Sequence, residues 1–250
     1  MVLPENFAFL SRRPSDKLSV AELLDPADPG RIVQAVADIA RTHGMWVIAG
    51  GLPEISPDTS PRDGGERVGG IVRVYNTCLA VAPDGEIAAA YRKIHLFDVA
   101  IPDSAVFRES ESTERGSEIV SVETPLARIG LSVCYDLRFP ELYRKLALEH
   151  RAQVLAVPAA FTAYTGAAHW HTLLRSRAIE NQCYVIAAAQ DGRHNDKRES
   201  FGHSLLIDPW GQIIAELAEG EGLAVAEIDL DHLDATRQRM PCLEHPVLWR

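Results

Sequence analysis

Apolar residues recur along the chain in two rhythms, one of helical spacing and one of short continuous runs, and the two alternate from end to end. In RIVQAVADIARTH (31–43), Ile32, Val36 and Ile39 fall at helical spacing with Val33, Ala35 and Ala40, and Gly44 follows as a C-cap. MWVIAG (45–50) is a short apolar strand. The stretches 11–30 and 53–70, rich in Pro, Asp, Ser and Gly, are loops, the first with room for a short irregular helix. A strand over 71–82, the turn Pro83-Asp84-Gly85 and a returning strand over 86–91 form a hairpin, followed by a long ordered loop over 95–117. Strands are predicted at 118–123 and 127–133, the second ending at Cys134. A helix over 140–150 opens on Pro140, a strand covers 154–160, a helix 167–181 and a strand 183–189. The segment 202–217 forms a hairpin about Pro209-Trp210-Gly211, GLAVAEIDL (222–230) is a last strand and 230–239 a last helix. Interleaved helices and strands with hairpins mixed in give an α/β class. One domain over 1–250 is predicted, as a sandwich of two mixed sheets flanked by helices.

Composition narrows the partners. The 250 residues are 46% apolar and 24% charged, which suits a core-forming globular chain and not a disordered one. A net charge of −10 argues against nucleic acid and anionic membrane surfaces as partners, while leaving room for a local cationic pocket. No run approaches the roughly 20 apolar residues of a membrane span, and MVLPEN has no basic region followed by an apolar one. Cys78, Cys134, Cys183 and Cys242 are widely spaced without a C-x-x-C pair, so reduced thiols and a cytoplasmic setting are expected. Lysine is scarce: only Lys17, Lys93, Lys145 and Lys197 occur, which singles out each of them.

Several common sites are missing. There is no G-x-G-x-x-G after a strand, no phosphate-binding G-x-x-x-x-G-K-[ST] and no H-E-x-x-H. Gly64, Gly65, Gly69 and Gly70 match neither glycine spacing and are expected in a loop. Gly130-Leu131-Ser132-Val133-Cys134 departs from G-x-S-x-G at its last position. His169 and His171, two apart on a helix, face different ways, and no convergent metal ligands are visible, so no metal is expected.

Three chemistry-bearing residues stand at strand ends. Cys134 lies where ARIGLSVC gives way to YDLRFPEL, a position at which backbone N–H groups of the next turn meet a thiolate or an oxyanion. The alternative is a small buried hydrophobe, the usual place of a free cysteine. Lys93 follows a strand in YRKIHLF, where it is either paired and used or a surface residue with its head in water. Glu5 follows Leu3-Pro4 and is otherwise a solvated loop or capping carboxylate. Together they supply a nucleophile, a proton carrier and a cation for developing negative charge.

The segments LPENFAF, YRKIHLFD and GLSVCYDLRFPEL resemble the nitrilase superfamily of carbon–nitrogen hydrolases, which use a Glu-Lys-Cys triad. Further matches are PAAFTAYTGAAHWHTLLRSRAIENQCYVIAAAQ and GRHNDKRESFGHSLLIDPWG, so the likeness runs from Glu5 to the C-terminus. It implies an α-β-β-α sandwich and an amidase. Within the superfamily, enzymes acting on deaminated glutathione resemble the chain most and omega-amidases somewhat less. By motif, Cys134 is the nucleophile that forms a thioester, Glu5 the general base and acid, and Lys93 the oxyanion stabiliser with the N–H of Tyr135. Glu109, in FRES, orients the substrate amide and fixes Lys93. Phe161 and Thr162 are expected to line the pocket, and Arg138 and Arg175 are candidates to meet substrate carboxylates. The resemblance implies no metal or organic cofactor, a small-molecule amide as substrate, and a homodimer or larger homo-oligomer.

The likeness breaks at the front. Family members carry a further strand–helix–strand before the Pro-Glu motif, and this sequence starts just ahead of that motif, as if N-terminally truncated. Because each catalytic position is retained, a natural start upstream is expected. The alternatives are a truncated paralogue serving as a binding or scaffold protein, and a Cys–His hydrolase of another fold with His95 or His169 as its base.

Overall fold

The computed structural model describes residues 1–10, 12–56, 73–100, 106–196 and 198–248. Gly64, Gly65, Gly69 and Gly70 lie outside them, as do Ile71 and Val72 of the predicted strand. Alternation along two central strands explains the layering. In β2 (Val47–Ile55), Val47 and Ala49 face one apolar cluster and Ile48 the other; in β3 (Val74–Val81), Leu79 and Val81 face the first and Cys78 and Ala80 the second. Both faces of this sheet are thus buried. Helix α1 (Arg31–His43) covers the first face with Val33, Val36, Ala37 and Ala40. The Glu22 carboxylate accepts the N–H groups of Ile32 and Val33 at its start, and Gly44, at φ 60°, closes its end.

The first sheet runs β1 (Val2–Leu3), β2, β3, β4 (Ile87–Arg92), with β7 (Thr113–Glu114) added parallel to β3. β1 is parallel to β2, while β2, β3 and β4 are antiparallel. The second sheet has six strands: β8 (Ser121–Glu123), β9 (Arg128–Leu131), β10 (Val154–Ala156), β11 (Tyr184–Ala187), β14 (Ser204–Ile207) and β15 (Ile213–Leu217). Its centre, β9-β10-β11, is parallel and its flanks are antiparallel. One large core joins Ile48, Cys78, Ala80 and Tyr91 of the first sheet to Leu155 and Val185 of the second. The same core takes in α2 (Pro140–Leu148) and α3 (Ala163–Asn181). Helix α4 (Leu230–Arg239) packs through Leu233 on Val154 and Tyr184. No helix among the described residues is long and apolar enough to cross a membrane.

The predicted class is the observed one, with local differences. β2 continues through Leu52-Pro53 where a loop was expected, because a register shift between Ala49 and Leu52 lets Pro53 pair opposite Asn76. The expected loop over 95–117 contains the ribbon β5 (Asp98–Ala100) with β6 (Val106–Arg108), and β7. A second ribbon, β12 (Asp191–Asn195) with β13 (Arg198–Phe201), is polar and carries no apolar alternation by which to read it. The last predicted strand is corrected: 222–229 forms no ladder, and Leu223 and Val225 are 81% and 78% exposed. Its alternation suits a strand, but it pairs with none of the described strands. Helix α3 begins at Ala163, ahead of the predicted 167, because the Thr162 hydroxyl caps it by accepting the Thr165 N–H.

Leu155 is fully buried at the centre of the second sheet. Leu155→Ala is expected to lower the unfolding free energy by about 2–5 kcal/mol. Denaturant melts check this as a lower midpoint at unchanged slope.

Candidate active site

Glu5, Lys93 and Cys134 arrive from three strand ends. Glu5 follows β1, where Asn6, at φ 58°, donates its N–H to the Gly51 carbonyl at 3.1 Å. Gly51 sits in the β2 bulge at φ 63°, and a Cβ there would come within 2.8 Å of Glu5 Cγ and of Asn76 Oδ1. Glycine therefore leaves the space in which the Glu5 side chain lies. Lys93 follows β4, with its N–H held by the Asn76 carbonyl and its carbonyl by the Gly116 N–H, both at 2.9 Å. Cys134 follows β9 at φ 48° and opens a short 3-10 turn, Cys134–Arg138, its N–H bonded to the Pro158 carbonyl at 2.8 Å.

Asp136, fully buried, ties the cysteine turn to the lysine loop. One carboxylate oxygen accepts the Val133 N–H at 2.8 Å and the Tyr91 hydroxyl at 2.7 Å; the other accepts the His95 N–H at 3.0 Å and faces His95 Nδ1 at 2.7 Å. Arg177 of α3 donates twice to the Leu137 carbonyl, at 3.1 and 2.7 Å, and so anchors the same turn from the helix side.

The Lys93 ammonium lies 3.0 Å from Glu5 Oε1, 2.8 Å from Glu109 Oε2 and 3.1 Å from Glu109 Oε1. Asn76 Nδ2 donates to Glu5 at 2.9 Å and Glu109 at 3.2 Å, the Ala160 N–H to Glu5 Oε2 at 3.2 Å, and the Phe97 N–H to Glu109 at 2.7 Å. Gln190 holds the Glu5 backbone carbonyl at 3.1 Å. Burial alone would lower the Lys93 pKa, but Glu109 and Glu5 raise it well above its ordinary value, so the head stays an ammonium. Burial alone would raise that of Glu109; Lys93 and Lys17, with the Phe97 N–H, bring it down to about 2. The Cys134 thiol lines the same cavity as the Glu5 carboxylate and the Lys93 ammonium and lies within the field of both. Burial and the Glu5 charge push its pKa well up, against Lys93 and the Ala160 N–H, which lower it. The resting group is a neutral thiol beside a carboxylate and an ammonium.

These residues open on a cavity of about 380 Å³, which Tyr135, Arg138, Phe161 and Thr162 also line. Eight of the nine site residues named from the sequence therefore meet at one place. Arg175 does not: it donates to the Gly211 carbonyl at 2.8 Å and lines a separate surface hollow beside Trp210. Neither His95 nor His169 lines the cavity; His95 stacks on Phe139 at 3.7 Å and His169 meets Arg138 at 3.2 Å. A Cys–His arrangement is thereby excluded. Cys78 and Cys183 are buried hydrophobes with raised pKa values, Cys183 to about 11 through burial. Sequence reasoning missed Asn76, Gln190 and Asp136, whose polar character inside apolar strands or next to Cys134 was the available signal. It also missed a cluster outside the cavity, in which Glu216 Oε1 meets His171 Nε2 at 2.8 Å and His203 Nδ1 at 2.6 Å; these three are spaced closely enough to share a cation.

The carbon–nitrogen hydrolase family model matches residues 1–238. The chain is 43% identical to the deaminated glutathione amidase of Mus musculus, over 97% of this chain and 71% of that protein. It is 44% identical to the enzyme of the same name from Synechocystis sp., over 98% of this chain and 85% of that one. Among solved structures, the C. elegans NitFhit protein superposes with a TM-score of 0.84 at 41% identity, over 98% of this chain and 56% of the other. Saccharomyces cerevisiae Nit3, a member of the nitrilase superfamily, superposes with a TM-score of 0.80 at 32% identity, over 96% and 80% of the two chains.

The depressed Glu109 pKa links this site to stability. A carboxylate held below its ordinary 4.5 contributes stability above that pH and loses it as pH falls toward about 2. Denaturant midpoints of wild type and Glu109→Gln are expected to differ by a constant margin between pH 5 and 7. That margin is expected to narrow progressively below about pH 4.5.

Proposed function

Because the chain belongs to the carbon–nitrogen hydrolase family and is a hydrolase of non-peptide carbon–nitrogen bonds, we propose that it is an amidase working through Glu5, Lys93 and Cys134 on deaminated glutathione or a similar omega-amide of a 2-oxo acid. The observation that carries this reading is the Lys93 ammonium clasped between Glu5 and Glu109, with Cys134 on the wall of the same cavity. The relatives' names support the substrate class.

A thiol held neutral needs a base at the moment of attack. As Sγ bonds to the amide carbon, its proton passes to Glu5, and the carbonyl oxygen becomes an oxyanion. Lys93 and the Tyr135 N–H, at the open start of the cysteine turn, receive that charge. Glu5 returns the proton to nitrogen, the carbon–nitrogen bond breaks, and a thioester remains on Cys134. Water then attacks the thioester while Glu5 takes one of its protons. Collapse releases the acid, and the thiolate regains its proton from Glu5. Glu109 keeps Lys93 in place and presents a carboxylate edge to the substrate amide.

The direct test measures 2-oxoglutarate and cysteinylglycine released from deaminated glutathione, and ammonia released from omega-amides of 2-oxo acids and from simple aliphatic amides. Turnover is expected on the first two classes. Cys134→Ala is expected to lower it at least about a thousandfold, and Glu5→Gln about 10²–10⁴-fold, with melting curves near wild type. Full activity in Cys134→Ala would sink the proposal, and no turnover of any amide by the wild type would favour a binding role.

The reading extends to a homo-oligomer. Ile179 of α3 and Trp210 beside it are exposed, as is Tyr164. Sedimentation equilibrium is expected to give a mass at least twice the chain's 27.5 kDa.

A further inference from the structure

We propose that Lys17 and Arg198 form an anion subsite in the active cavity, one that receives a substrate carboxylate remote from the scissile amide. This rests on the amidase reading above and specifies how that enzyme selects among amides.

Apart from Lys93, six basic residues line the cavity: Arg12, Arg13, Lys17, Arg108, Arg138 and Arg198. Most of them are occupied. Arg12 pairs with Asp196 at 3.4 Å, Arg13 with Asp16 at 2.9 Å and Arg108 with Glu111 at 3.8 Å. Arg138 lies 5.1 Å over the Phe161 ring and touches His169. Lys17 and Arg198 have no carboxylate at ion-pair distance among the described residues. Lys17 Nζ, on the 3-10 segment Pro14–Val20, donates to the Thr113 hydroxyl at 2.6 Å. Arg198, at the start of β13, has a buried Nε with no acceptor.

The two cations come from separate elements and line the same cavity. Burial lowers the Lys17 pKa most; Glu109 and Glu5 act against it, while Lys93 and Arg198 add to it. A third polar group on the cavity wall is unsatisfied: the Ser112 hydroxyl is 5% exposed and has no partner. A cavity wall on which cations outnumber carboxylates and buried polar atoms without partners are both costly. A bound carboxylate relieves both at once, since its two oxygens can accept from an ammonium, a guanidinium and a hydroxyl. A neutral amide brings no charge to the two cations.

The first test requires no turnover. 2-Oxoglutarate, the acyl half of the product, and cysteinylglycine, the amine half, are titrated separately into Cys134→Ala protein by calorimetry. At least one is expected to bind, and Arg198→Ala or Lys17→Met in that background is expected to weaken it at least tenfold, with Arg198→Lys intermediate. Which of the two responds shows which half of the substrate occupies the subsite. Equal affinity in all variants, or binding of neither product, would overturn the proposal. Arg198 is on a partly exposed ribbon, so Arg198→Ala decides the matter even if Lys17→Met does not fold. The second test compares two substrates, the omega-amide of 2-oxoglutarate as the free acid and the same amide as its methyl ester, by their kcat/KM values. Wild type is expected to prefer the free acid at least tenfold. Arg198→Ala is expected to shrink that ratio, chiefly by raising KM for the acid. Where 2-oxoglutarate is the half that responds in calorimetry, a wild-type ratio near one, in an enzyme that hydrolyses both, overturns the subsite and leaves the amidase reading intact. Hydrolysis of neither overturns the amidase reading and leaves the calorimetry to decide the subsite.

Discussion

The structure is organised around an ammonium that has been taken out of water. Lys93 is almost completely buried, with Glu5 and Glu109 at 3.0 and 2.8 Å. Each ion gives up hydration worth several kcal/mol even after the protein relaxes. A charge pair about 4 Å apart returns roughly 4 kcal/mol at an effective dielectric near 20, and the two carboxylates also repel each other. Coulomb attraction alone therefore does little better than break even. The balance is closed by neutral donors: Asn76, which touches both carboxylates, and the N–H groups of Ala160 and Phe97. Such an arrangement is a poor way to gain stability, because an apolar trio of similar volume would serve as well. What it provides is a cation, a proton acceptor and a neutral thiol in fixed register, and that is the requirement of acyl transfer.

Fixing this trio constrains much of the rest. Three strand ends deliver it, and each is pinned by contacts outside the chemistry. The β2 bulge exists where Glu5 needs space, and Gly51 is the residue that leaves that space. Asp136 is satisfied on both oxygens by groups from β4, the loop after Lys93 and the strand before Cys134, so the cysteine and the lysine share one anchor. Arg177, buried on α3, is committed to a backbone carbonyl of the cysteine turn. These side chains touch no reacting atom, yet the geometry of the reacting ones follows from them.

The residues proposed as catalytic were legible because their motifs are local: each lies in a short segment with a strand before it. The parts that were not legible are set by partners distant in sequence. Pro53 reads as a strand breaker until Asn76 is seen opposite it. The β12–β13 ribbon has a polar sequence that finds no place in an apolar pattern, yet it carries Arg198 to the cavity. The run 222–229 has the alternation of a strand and pairs with none of the described strands. Arg175 resembled a substrate residue from its helix position, but the helix turns it toward Gly211. Lys17 stood out only through the scarcity of lysine, with no motif around it.

Net charge was the least informative number at the start and gains meaning from the cavity. The chain carries −10 overall, while the space in front of Cys134 is lined by seven basic residues against Glu5 and Glu109. A cavity with low-dielectric walls focuses the field of its own lining, so an anionic substrate meets a local potential unlike that of the whole surface. The same field has to be divided with care. A cation too close to Cys134 would stabilise a thiolate at rest and make a weaker base of Glu5. Here Lys93 is held by two carboxylates, and the thiol pKa remains high. Lys17 and Arg198, without such partners, act on the substrate instead. In the proposed reaction the separation between paired and unpaired cations thus divides labour within one cavity: the paired one waits for the oxyanion, and the unpaired two select the molecule on which it forms.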